Sequence, residues 1–405
     1  MSRVTILGGA GAVGSVAAAT LAASGVFSEV VIADMAIDHA RATAQRLGGG
    51  NVTAIEFNAG NADSVKKAIA DSTVALNCVG PFYQFGPVIL RAAIESKVNY
   101  VDVCDDLDAT EASLAMDGEA RQAGIAALLG MGTSPGVANV LVRFCAEQLL
   151  DQLEVVDIYH AHGGEKVEGA AVIKHRIHSM MIDVPMFLDG KYTTVRLFED
   201  SGRALEEEVE FRDVGTYRVY AYPHPETITL PRCFKDLKRV TNLGLVLPPA
   251  YAELIKSVVR LGITGEEPLE VQGCGVVPLE FGVAYVLSRR QRLLDEAGLR
   301  GPMGCLKIVV KGHRKGEPST YVFSLSSKTQ GMGDGTGIPA ALGAILMATG
   351  KITDEGVLPP ESCVKPMDLL GLAHRAVSVG EKKGLPIVIE HIDAKGASKT
   401  ISLFG

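Results

Sequence analysis

The sequence predicts an α/β protein in which a doubly wound parallel sheet precedes a second, α+β domain with a mixed, largely antiparallel sheet. From residue 4 to residue 129, short and almost continuously apolar runs alternate with helical segments, as in parallel sheets covered on both faces. A glycine-rich turn follows the first of these runs. Beyond residue 136, apolar and polar residues alternate over longer segments, which is typical of half-buried antiparallel strands.

The first domain is predicted to span residues 1–136 and to contain the parallel sheet. Its strands are expected at residues 4–7, 30–33, 52–57, 74–78, 99–103 and 126–129. Its helices are expected at residues 15–23, 38–47, 62–70, 87–95 and 110–123. Because ligands bind at the carboxyl ends of parallel strands, the residues that follow each strand are the first candidates for a site.

The second domain is predicted to span residues 137–334 and to begin with a helix over residues 137–150. Strands are expected at residues 155–160, 192–198, 204–211, 217–222, 305–312 and 319–326. Further helices are expected at residues 170–181, 231–240, 249–261 and 281–296. The strongly apolar segment near Gly335 predicts a buried helical return to the first domain over residues 335–375. Residues 376–405 are predicted to form a C-terminal hairpin that completes the second domain.

The glycine-rich turn has the spacing of a dinucleotide-binding loop. Between a strand and a helix, Gly9 permits the tight turn, Gly11 lets the backbone approach a pyrophosphate, and Gly14 lets helix and strand pack closely. The unpaired amides at the start of the helix face the anion. The candidate cofactor-binding residues of this turn are Gly9, Ala10, Gly11, Ala12, Val13 and Gly14. The sequence therefore predicts a Rossmann-type unit that binds NAD or NADP.

An acidic residue after the second predicted strand favours one of the two cofactors. Asp34 ends the second predicted strand, about twenty residues after the last glycine, where such units place the group that binds the adenosine ribose. Because a carboxylate there repels the additional phosphate of NADP, the sequence favours NAD. Arg41 lies near enough in sequence to serve a phosphate, so NADP stays open. Asn58, after the third strand, is a further candidate at the cofactor edge.

Composition restricts the classes of partner. The chain has 405 residues, of which 47% are hydrophobic and 21% are charged, and its net charge is −8 with both signs interspersed. We expect no nucleic-acid partner and no membrane contact, because no basic patch and no bilayer-spanning apolar run is present. Seven scattered cysteines without a CxxC pair predict reduced thiols and no metal site. The expectation is a cytoplasmic protein that acts on small molecules.

Two further segments follow predicted strands at the ligand edge. Residues 76–87 contain glycine, proline and aromatic side chains, a backbone suited to lie against a flat ring, although the aromatic residues could equally cap the sheet. Residues 102–106 hold three carboxylates, which cannot all be buried and ionised. Asp102 is a candidate for proton handling, whereas Asp105 and Asp106 are better explained as caps of the next helix. The candidates here are Asn77, Cys78, Val79, Gly80, Pro81, Asp102 and Val103 for the cofactor, and Tyr83 for catalysis.

A histidine and a glutamate lie together in a proline-rich segment. Prolines flank His224, Glu226 follows it closely, and Arg232 lies a short distance further along the chain. Since an imidazole oriented by a carboxylate is a tunable base, we expect His224, oriented by Glu226, to be the catalytic base. Arg232 would hold a substrate carboxylate. A structural turn is the alternative interpretation of this segment.

A predicted helix offers a second set of candidates. His175 and His178 are three residues apart and share one helical face. Lys174 and His175 are catalytic candidates from this set, and Arg176 is a second candidate for the substrate carboxylate. A solvated basic face is the alternative, and no metal site is expected here or elsewhere.

Several motifs resemble those of saccharopine-dehydrogenase-like oxidoreductases. The amino-terminal domain of that family is resembled by residues 77–81 with the aromatic pair that follows, by residues 85–88 and by residues 99–102. The carboxyl-terminal signature of the same group, which includes lysine 6-dehydrogenases, is resembled by residues 335–341, 350–352, 356–357 and 360–361. Together these segments bracket nearly the whole chain.

The resemblance implies a homodimeric enzyme that transfers hydride between NAD(P) and a carbon–nitrogen bond of an amino acid or an amino-acid conjugate. It also implies that residues 132–136, together with Asn139, join the two domains, which makes Thr133 and Asn139 substrate-binding candidates. The positions that it assigns to the cofactor edge are Gly9, Gly11, Gly14, Asp34, Asn77, Cys78, Gly80, Pro81 and Asp102.

Three functions are open at this point. The main hypothesis is oxidative deamination of the lysine 6-dehydrogenase type, with an amino-acid-like small molecule as the substrate. The first alternative is reduction of an imine that condenses from an amine and a keto or aldehyde acid, as in saccharopine or carboxynorspermidine formation. The second alternative is a nucleotide-binding scaffold without catalytic turnover.

Overall fold

The computed structural model describes residues 2–165, 168–377 and 387–402, which form two compact units. Described residues of the first unit fall within 2–149, 224–233 and 332–377. Those of the second fall within 150–223, 234–331 and 387–402. Residues 137–149 and 224–233 thus belong to the first unit by their contacts, whereas the sequence prediction places both segments in the second domain.

A parallel sheet organises the first unit. Its strands are β1 (Arg3–Leu7), β2 (Glu29–Asp34), β3 (Val52–Glu56), β4 (Val74–Asn77), β5 (Asn99–Asp102), β6 (Ala126–Leu128) and β17 (Gly356–Leu358). Among the described residues, these seven strands pair in the order β17-β6-β5-β4-β1-β2-β3, and every pairing is parallel. The Rossmann-type sheet expected from the sequence is confirmed, with β17 as an additional edge strand.

Helices cover this sheet. They are α1 (Ala12–Ser24), α2 (Ile37–Leu47), α3 (Ala62–Ile69), α4 (Phe82–Ser96), α5 (Leu107–Leu114), α6 (Asp117–Ala123), α7 (Val137–Phe144), α10 (Glu226–Cys233), α13 (Met332–Ala348), α14 (Pro360–Cys363) and α15 (Pro366–Val377). A π-helical turn, Cys145–Leu149, follows α7. The sheet is buried on both faces, since Ile6 and Ile32 belong to one apolar cluster and Leu7 and Ala33 to another.

Two helix predictions in this unit need correction. Helix α4 begins at Phe82 rather than at residue 87. The prediction placed Pro87 at the first helical position, which proline favours, but Pro87 lies inside the helix. The single helix predicted over residues 110–123 is two helices, α5 and α6. By contrast, α13 lies where the sequence predicts a buried apolar helix, and it packs against α1.

The second unit is built on a mixed sheet. Its strands are β7 (Gln152–Gly163), β8 (Val184–Leu188), β9 (Lys191–Val195), β10 (Glu207–Phe211), β11 (Gly215–Ala221), β12 (Arg239–Leu247), β15 (Met303–Arg314), β16 (Glu317–Ser327), β18 (Ile387–Ile392) and β19 (Ser398–Ile401). They pair in the order β10-β11-β12-β7-β15-β16-β18-β19, and β8 joins β12 to β9. Among the described strands of this sheet, only β12 and β7 pair in parallel, so the mixed, largely antiparallel sheet is confirmed.

The remaining elements of this unit flank the sheet. They are α8 (Ala170–Met181), α9 (Asp200–Arg203), α11 (Pro249–Arg260), α12 (Pro278–Glu296) and the hairpin β13 (Leu269–Val271) with β14 (Cys274–Val276). The helix predicted over residues 231–240 is wrong, because α10 ends at Cys233 and Arg239 begins β12. Strand β12 is buried from Val240 onward and so lacks the apolar–polar alternation that predicts a strand.

Strands β18 and β19 pair antiparallel within the segment predicted to form a C-terminal hairpin, of which residues 378–386 and 403–405 lie outside the described residues. No described helix is long and apolar enough to cross a membrane.

Candidate functional site

The glycine-rich turn leaves no room for side chains where α1 meets β1. A Cβ atom on Gly14 would lie 2.3 Å from the Gly8 carbonyl oxygen and 2.7 Å from the Gly9 Cα. Gly8 itself has a φ of +73°, and its amide donates to the Ala33 carbonyl at 2.9 Å. Since the first amides of a helix have no intrahelical partners, the start of α1 presents donors beside this tight turn. The geometry fits the diphosphate of a dinucleotide.

Asp34 is fixed at the end of β2, next to the same turn. Its two carboxylate oxygens accept hydrogen bonds from the amides of Ala10 and Ala36, each at 3.0 Å. Arg41 is exposed and pairs with the exposed Asp38 at 3.4 Å. An acidic group therefore stands at the position expected for the ribose.

Asn58 has a local role in the turn that follows β3. Its side chain accepts from the Gly60 amide at 2.9 Å, and its own amide donates to the Ser64 hydroxyl at 3.0 Å. These bonds shape the entry into α3. They do not direct the Asn58 side chain to a ligand.

The loop after β4 lies against the glycine turn. A Cβ on Gly8 would lie 3.0 Å from the Cys78 carbonyl oxygen, so the two predicted cofactor segments are brought together. Asn77, fully buried, holds this loop by accepting from the Val79 amide at 2.9 Å and donating to the Tyr100 hydroxyl at 2.9 Å. Burial raises the pKa of the Cys78 thiol to about 12, so this group stays protonated at neutral pH. The residues that complete the loop are Val79, Gly80 and Pro81, the last being the N-cap of α4.

Asp102 is buried at the end of β5, and its carboxylate accepts hydrogen bonds from three donors. Its carboxylate accepts from the Tyr100 hydroxyl at 3.0 Å and from the amides of Cys104 and Gly130 at 3.1 and 2.7 Å. Burial raises the pKa of Asp102 to about 6, and the three hydrogen bonds limit that rise. These bonds fix the backbone around Val103 and Gly130. They account for the buried carboxyl without a role in catalysis.

The first turn of α4 is held by an acidic residue. The Asp106 carboxylate accepts from the Tyr83 amide at 3.0 Å, where a negative charge is favoured by the helix dipole. Asp106 is also the N-cap residue of α5, although its side chain makes no capping bond there. The Tyr83 ring is half-buried, on an element that starts at the ligand edge of the sheet. The Asp106 side chain therefore binds the first turn of α4, and not that of the following helix as the sequence predicts.

His224 and Glu226 form a buried acid–base pair in the first unit. The Nδ1 atom of His224 lies 2.8 Å from a Glu226 carboxylate oxygen, and their side chains are 8% and 0% exposed. The Ser134 hydroxyl donates to the other carboxylate oxygen. Burial alone would raise the pKa of Glu226, but His224 and the Ser134 hydroxyl outweigh it and hold that pKa below its usual range. Glu226 is therefore ionised at neutral pH and fixes the imidazole.

A second carboxyl group, that of Glu361, lies close to this pair. It is 3% exposed and accepts from the Asn139 side-chain amide at 2.8 Å. Burial raises the pKa of Glu361 to about 7, and the negative charge of Glu226 adds to the rise. The Asn139 side chain also accepts from the Gly136 amide at 2.9 Å, so it is occupied within the fold and not directed to a substrate.

The loop over residues 132–136 is anchored at several points. The Thr133 hydroxyl donates to the Gly335 carbonyl of α13, and the Gly132 amide donates to the Pro135 carbonyl at 2.9 Å. A Cβ on Gly136, where φ is +118°, would lie 2.1 Å from the Gly132 carbonyl oxygen. The loop after β6 is therefore compact and holds Ser134 against Glu226.

The candidates on α8 lie in the second unit, where Arg176 belongs to a buried ion-pair cluster. It is 2% exposed and pairs with Glu168, which also accepts from Arg290 Nε at 2.9 Å and from the Tyr251 hydroxyl at 2.6 Å. A buried guanidinium that already has a carboxylate partner is not available for a substrate carboxylate in this arrangement.

The other predicted cations and bases have different surroundings. Lys174 pairs with Glu280, and His175 lies 3.4 Å from the Ser179 hydroxyl on the same helix. Arg232, by contrast, is exposed on α10, the helix that Glu226 begins. The α8 set thus belongs to the second unit and the His224 set to the first, where the Arg232 side chain is exposed.

Sequence reasoning missed Glu361 and the link from Ser134 to Glu226. An acidic residue directly after Pro360, in a segment that is otherwise apolar, was the available signal for Glu361. The link to Ser134 had no such signal, because the two residues are 92 positions apart.

Comparison with known proteins identifies what this chain is similar to. The family model for the saccharopine dehydrogenase NADP-binding domain matches residues 4–128, and the model for the saccharopine dehydrogenase C-terminal domain matches residues 132–373. Carboxyaminopropylagmatine dehydrogenase of Synechocystis sp. is 26% identical over 380 residues, covering 89% of this chain and 92% of the relative. Carboxynorspermidine synthase of Vibrio cholerae is 24% identical over 403 residues, covering 90% and 94%.

A solved structure shares the fold over the full length. Saccharopine dehydrogenase (L-Glu forming) of Saccharomyces cerevisiae matches with a TM-score of 0.67 at 15% identity, covering 99% of this chain and 100% of the yeast chain.

Proposed function

The chain belongs to the saccharopine dehydrogenase family, and from this premise we propose that it reduces an imine formed between an amine and a keto or aldehyde acid. It is an NAD(P)-dependent oxidoreductase that acts on C–N bonds. We thus favour imine reduction, an alternative in the sequence analysis, over oxidative deamination of the lysine 6-dehydrogenase type.

The name of one relative supports the direction of the reaction, and the names of both relatives support the kind of substrate. Carboxynorspermidine synthase is named for forming a carboxylated polyamine, and carboxyaminopropylagmatine dehydrogenase is named for a carboxylated derivative of an amine. Each match covers about nine tenths of the chain. A substrate with one carboxyl group and one or more amino groups fits these names and the proposed reaction.

The single observation that carries the proposal is the buried His224–Glu226 pair. Reduction of an imine requires a proton on nitrogen while hydride adds to carbon. When bound, the reduced nicotinamide supplies the hydride. Because Glu226 is ionised and accepts from Nδ1, the opposite ring nitrogen of His224 is the one that exchanges a proton with a substrate. We assign His224 the role of acid in reduction and of base in the reverse reaction.

Glu226 stabilises the imidazolium form of His224 and fixes the orientation of its ring. A full negative charge within hydrogen-bond distance favours the protonated imidazole. The Ser134 hydroxyl in turn fixes the carboxylate. Near-complete burial limits water at the pair, which protects an imine from hydrolysis. Arg232, exposed on the same helix as Glu226, is proposed to hold the substrate carboxylate.

For the cofactor we propose a preference for NADH. The start of α1 and the turn at Gly14 fit a diphosphate, which both dinucleotides carry. The Asp34 carboxylate, fixed by two backbone amides, would repel an additional phosphate on the ribose. Arg41 already pairs with Asp38, which supports the same preference.

The proposed function is tested by following oxidation of the reduced cofactor with amines alone, with keto or aldehyde acids alone, and with pairs of the two. We expect turnover only with a pair, because the imine is the substrate. His224→Gln should lose this turnover, and His39→Gln, a matched change at an exposed histidine of the same unit, should retain it. Reduction of NAD with lysine alone, together with no turnover for any pair, contradicts the proposal and restores the deamination hypothesis.

A further inference from the structure

Glu361 is a buried carboxyl group that the proposed chemistry does not use. It lies on α14, which packs against α7 and α10, the helices that hold Asn139 and Glu226. Its carboxylate accepts from the Asn139 amide at 2.8 Å and is 3% exposed. A buried carboxyl group costs free energy when it ionises, so its presence beside another carboxylate needs an explanation.

A continuous set of contacts joins Glu361 to the acid–base pair. Asn139 bridges the Glu361 carboxyl and the Gly136 amide. Gly136 belongs to the compact loop in which Ser134 donates to Glu226, and Glu226 in turn contacts His224 at 2.8 Å. A change at Glu361 can therefore reach His224 by hydrogen bonds within one unit, and by direct charge interaction with Glu226.

We propose that Glu361 is a positioning residue for His224: its charge, together with its hydrogen bond to Asn139, sets how strongly His224 holds its proton. The inference rests on the proposed function only where it assigns a catalytic use to that proton. The interaction between the two residues is a property of the folded chain and can be measured without turnover.

The charged groups around Glu361 agree with this role. From α10 it faces Glu226, whose negative charge raises the pKa of Glu361, while Arg232 of the same helix is exposed. From α7 the cation is Arg143, which pairs with Glu147 at 2.6 Å and donates to the Val364 carbonyl at 3.3 Å.

On its own element, the neighbour of Glu361 is the thiol of Cys363, which burial keeps protonated by raising its pKa to about 12. Glu226 is therefore the charge to which Glu361 is coupled among the described groups of these elements.

The sign of the effect follows from that coupling. Below its pKa of about 7, Glu361 is neutral, while Glu226 is negatively charged beside His224. As the pH rises through this value, Glu361 ionises and a second negative charge favours the imidazolium form. The wild-type protein thus retains the His224 proton to a higher pH than a chain in which residue 361 cannot ionise.

The test is a proton titration of His224 by NMR in protein with labelled histidine rings. The chain has nine histidines, and His224→Gln identifies the signal. Glu361→Gln keeps an acceptor for Asn139 but removes the charge, so we expect the titration midpoint of His224 to fall by about one pH unit. Glu111→Gln, an exposed charge change on α5, should leave the midpoint in place.

A second variant keeps the proposal testable if Glu361→Gln does not fold. The polar Thr229 side chain on α10 lowers the pKa of Glu361, so Thr229→Val should keep the carboxyl neutral to higher pH and move the His224 midpoint in the same direction by a smaller amount. A His224 midpoint that is equal in the wild type and in the folded variants overturns the proposal. Absence of imine reduction with a shifted midpoint rejects the proposed function alone.

Discussion

Replacing Gly14 by alanine tests whether the turn between β1 and α1 holds a dinucleotide. The added Cβ would lie 2.3 Å from the Gly8 carbonyl oxygen, 2.7 Å from the Gly9 Cα and 2.9 Å from the Gly8 carbonyl carbon. All three are backbone atoms, so no side chain can move away. Because ordinary contact begins at 3.4 Å, the start of α1 must retreat by about 1 Å (3.4 − 2.3 = 1.1 Å).

That displacement moves the amides that would donate to the diphosphate. A hydrogen bond to a charged group contributes about 1.5–3 kcal/mol, and about 1.4 kcal/mol is a tenfold change in affinity. Weakening one or two such bonds therefore predicts a 10- to 100-fold loss of NADH or NADPH affinity. Overpacking should also cost about 1–3 kcal/mol of stability, partly offset by the gain of about 0.5–1 kcal/mol for alanine in a helix.

The assay is calorimetric titration with each reduced dinucleotide, with urea unfolding of the same samples. Gly118→Ala is the matched control, because Gly118 also lies in a helix of the first unit and has nothing within 4 Å of an added Cβ. The control should bind as the wild type does and gain about 0.5–1 kcal/mol of stability. Wild-type affinity in folded Gly14→Ala protein would refute the assignment of the turn as the cofactor site.

Three further predictions concern the other groups. His224→Gln should lower kcat/KM for imine reduction by about 10²–10⁴-fold with cofactor affinity unchanged, so a loss of binding in calorimetry would contradict its assignment as the acid. Asp34→Ser should change the ratio of NADH to NADPH affinity at least about tenfold in favour of NADPH, since it removes the charge beside the ribose; an unchanged ratio places selectivity elsewhere. Arg176→Met should lower the free energy of unfolding by about 3–5 kcal/mol, because Glu168 loses one of its buried partners, whereas Arg232→Gln should leave unfolding unchanged and raise KM. Equal unfolding midpoints for the two arginine variants argue against this division of roles.

The parallel sheet and the glycine turn could be predicted because their signals are local. The β1–α1 turn depends on residues within a short stretch of sequence, and each buried strand of the first unit is a short apolar run. Pro87 misled the prediction of α4 because a proline inside a helix and a proline at its first turn look alike in sequence. Strand β12 was missed because it is buried on both faces, so Thr241 and Asn242 follow one another without the apolar–polar alternation of a half-buried strand.

The acid–base pair was partly predictable. His224 and Glu226 are two positions apart, so their contact was visible in the sequence. Ser134 and Glu226 are 92 positions apart, and Asn139 and Glu361 are 222 apart, so these bonds arise only when the chain folds. A single sequence carries no direct signal for such contacts.

Several residues selected for their chemistry have structural partners instead. Asp102 accepts three hydrogen bonds around the loop at Gly130, and Arg176 is paired in a buried cluster. Residue type alone does not separate these cases from His224, because buried ionised groups need partners wherever they occur.

In the proposed reaction, hydride passes to the carbon of an imine while the chain protonates its nitrogen. The most direct measurement is mass spectrometry of the product after a single turnover with reduced dinucleotide that carries deuterium at the transferable position. We expect a secondary amine that joins the amine and the acid and carries one deuterium on the carbon that received the hydride. A free keto or aldehyde acid and amine without deuterium incorporation, despite bound cofactor and both substrates, would contradict it.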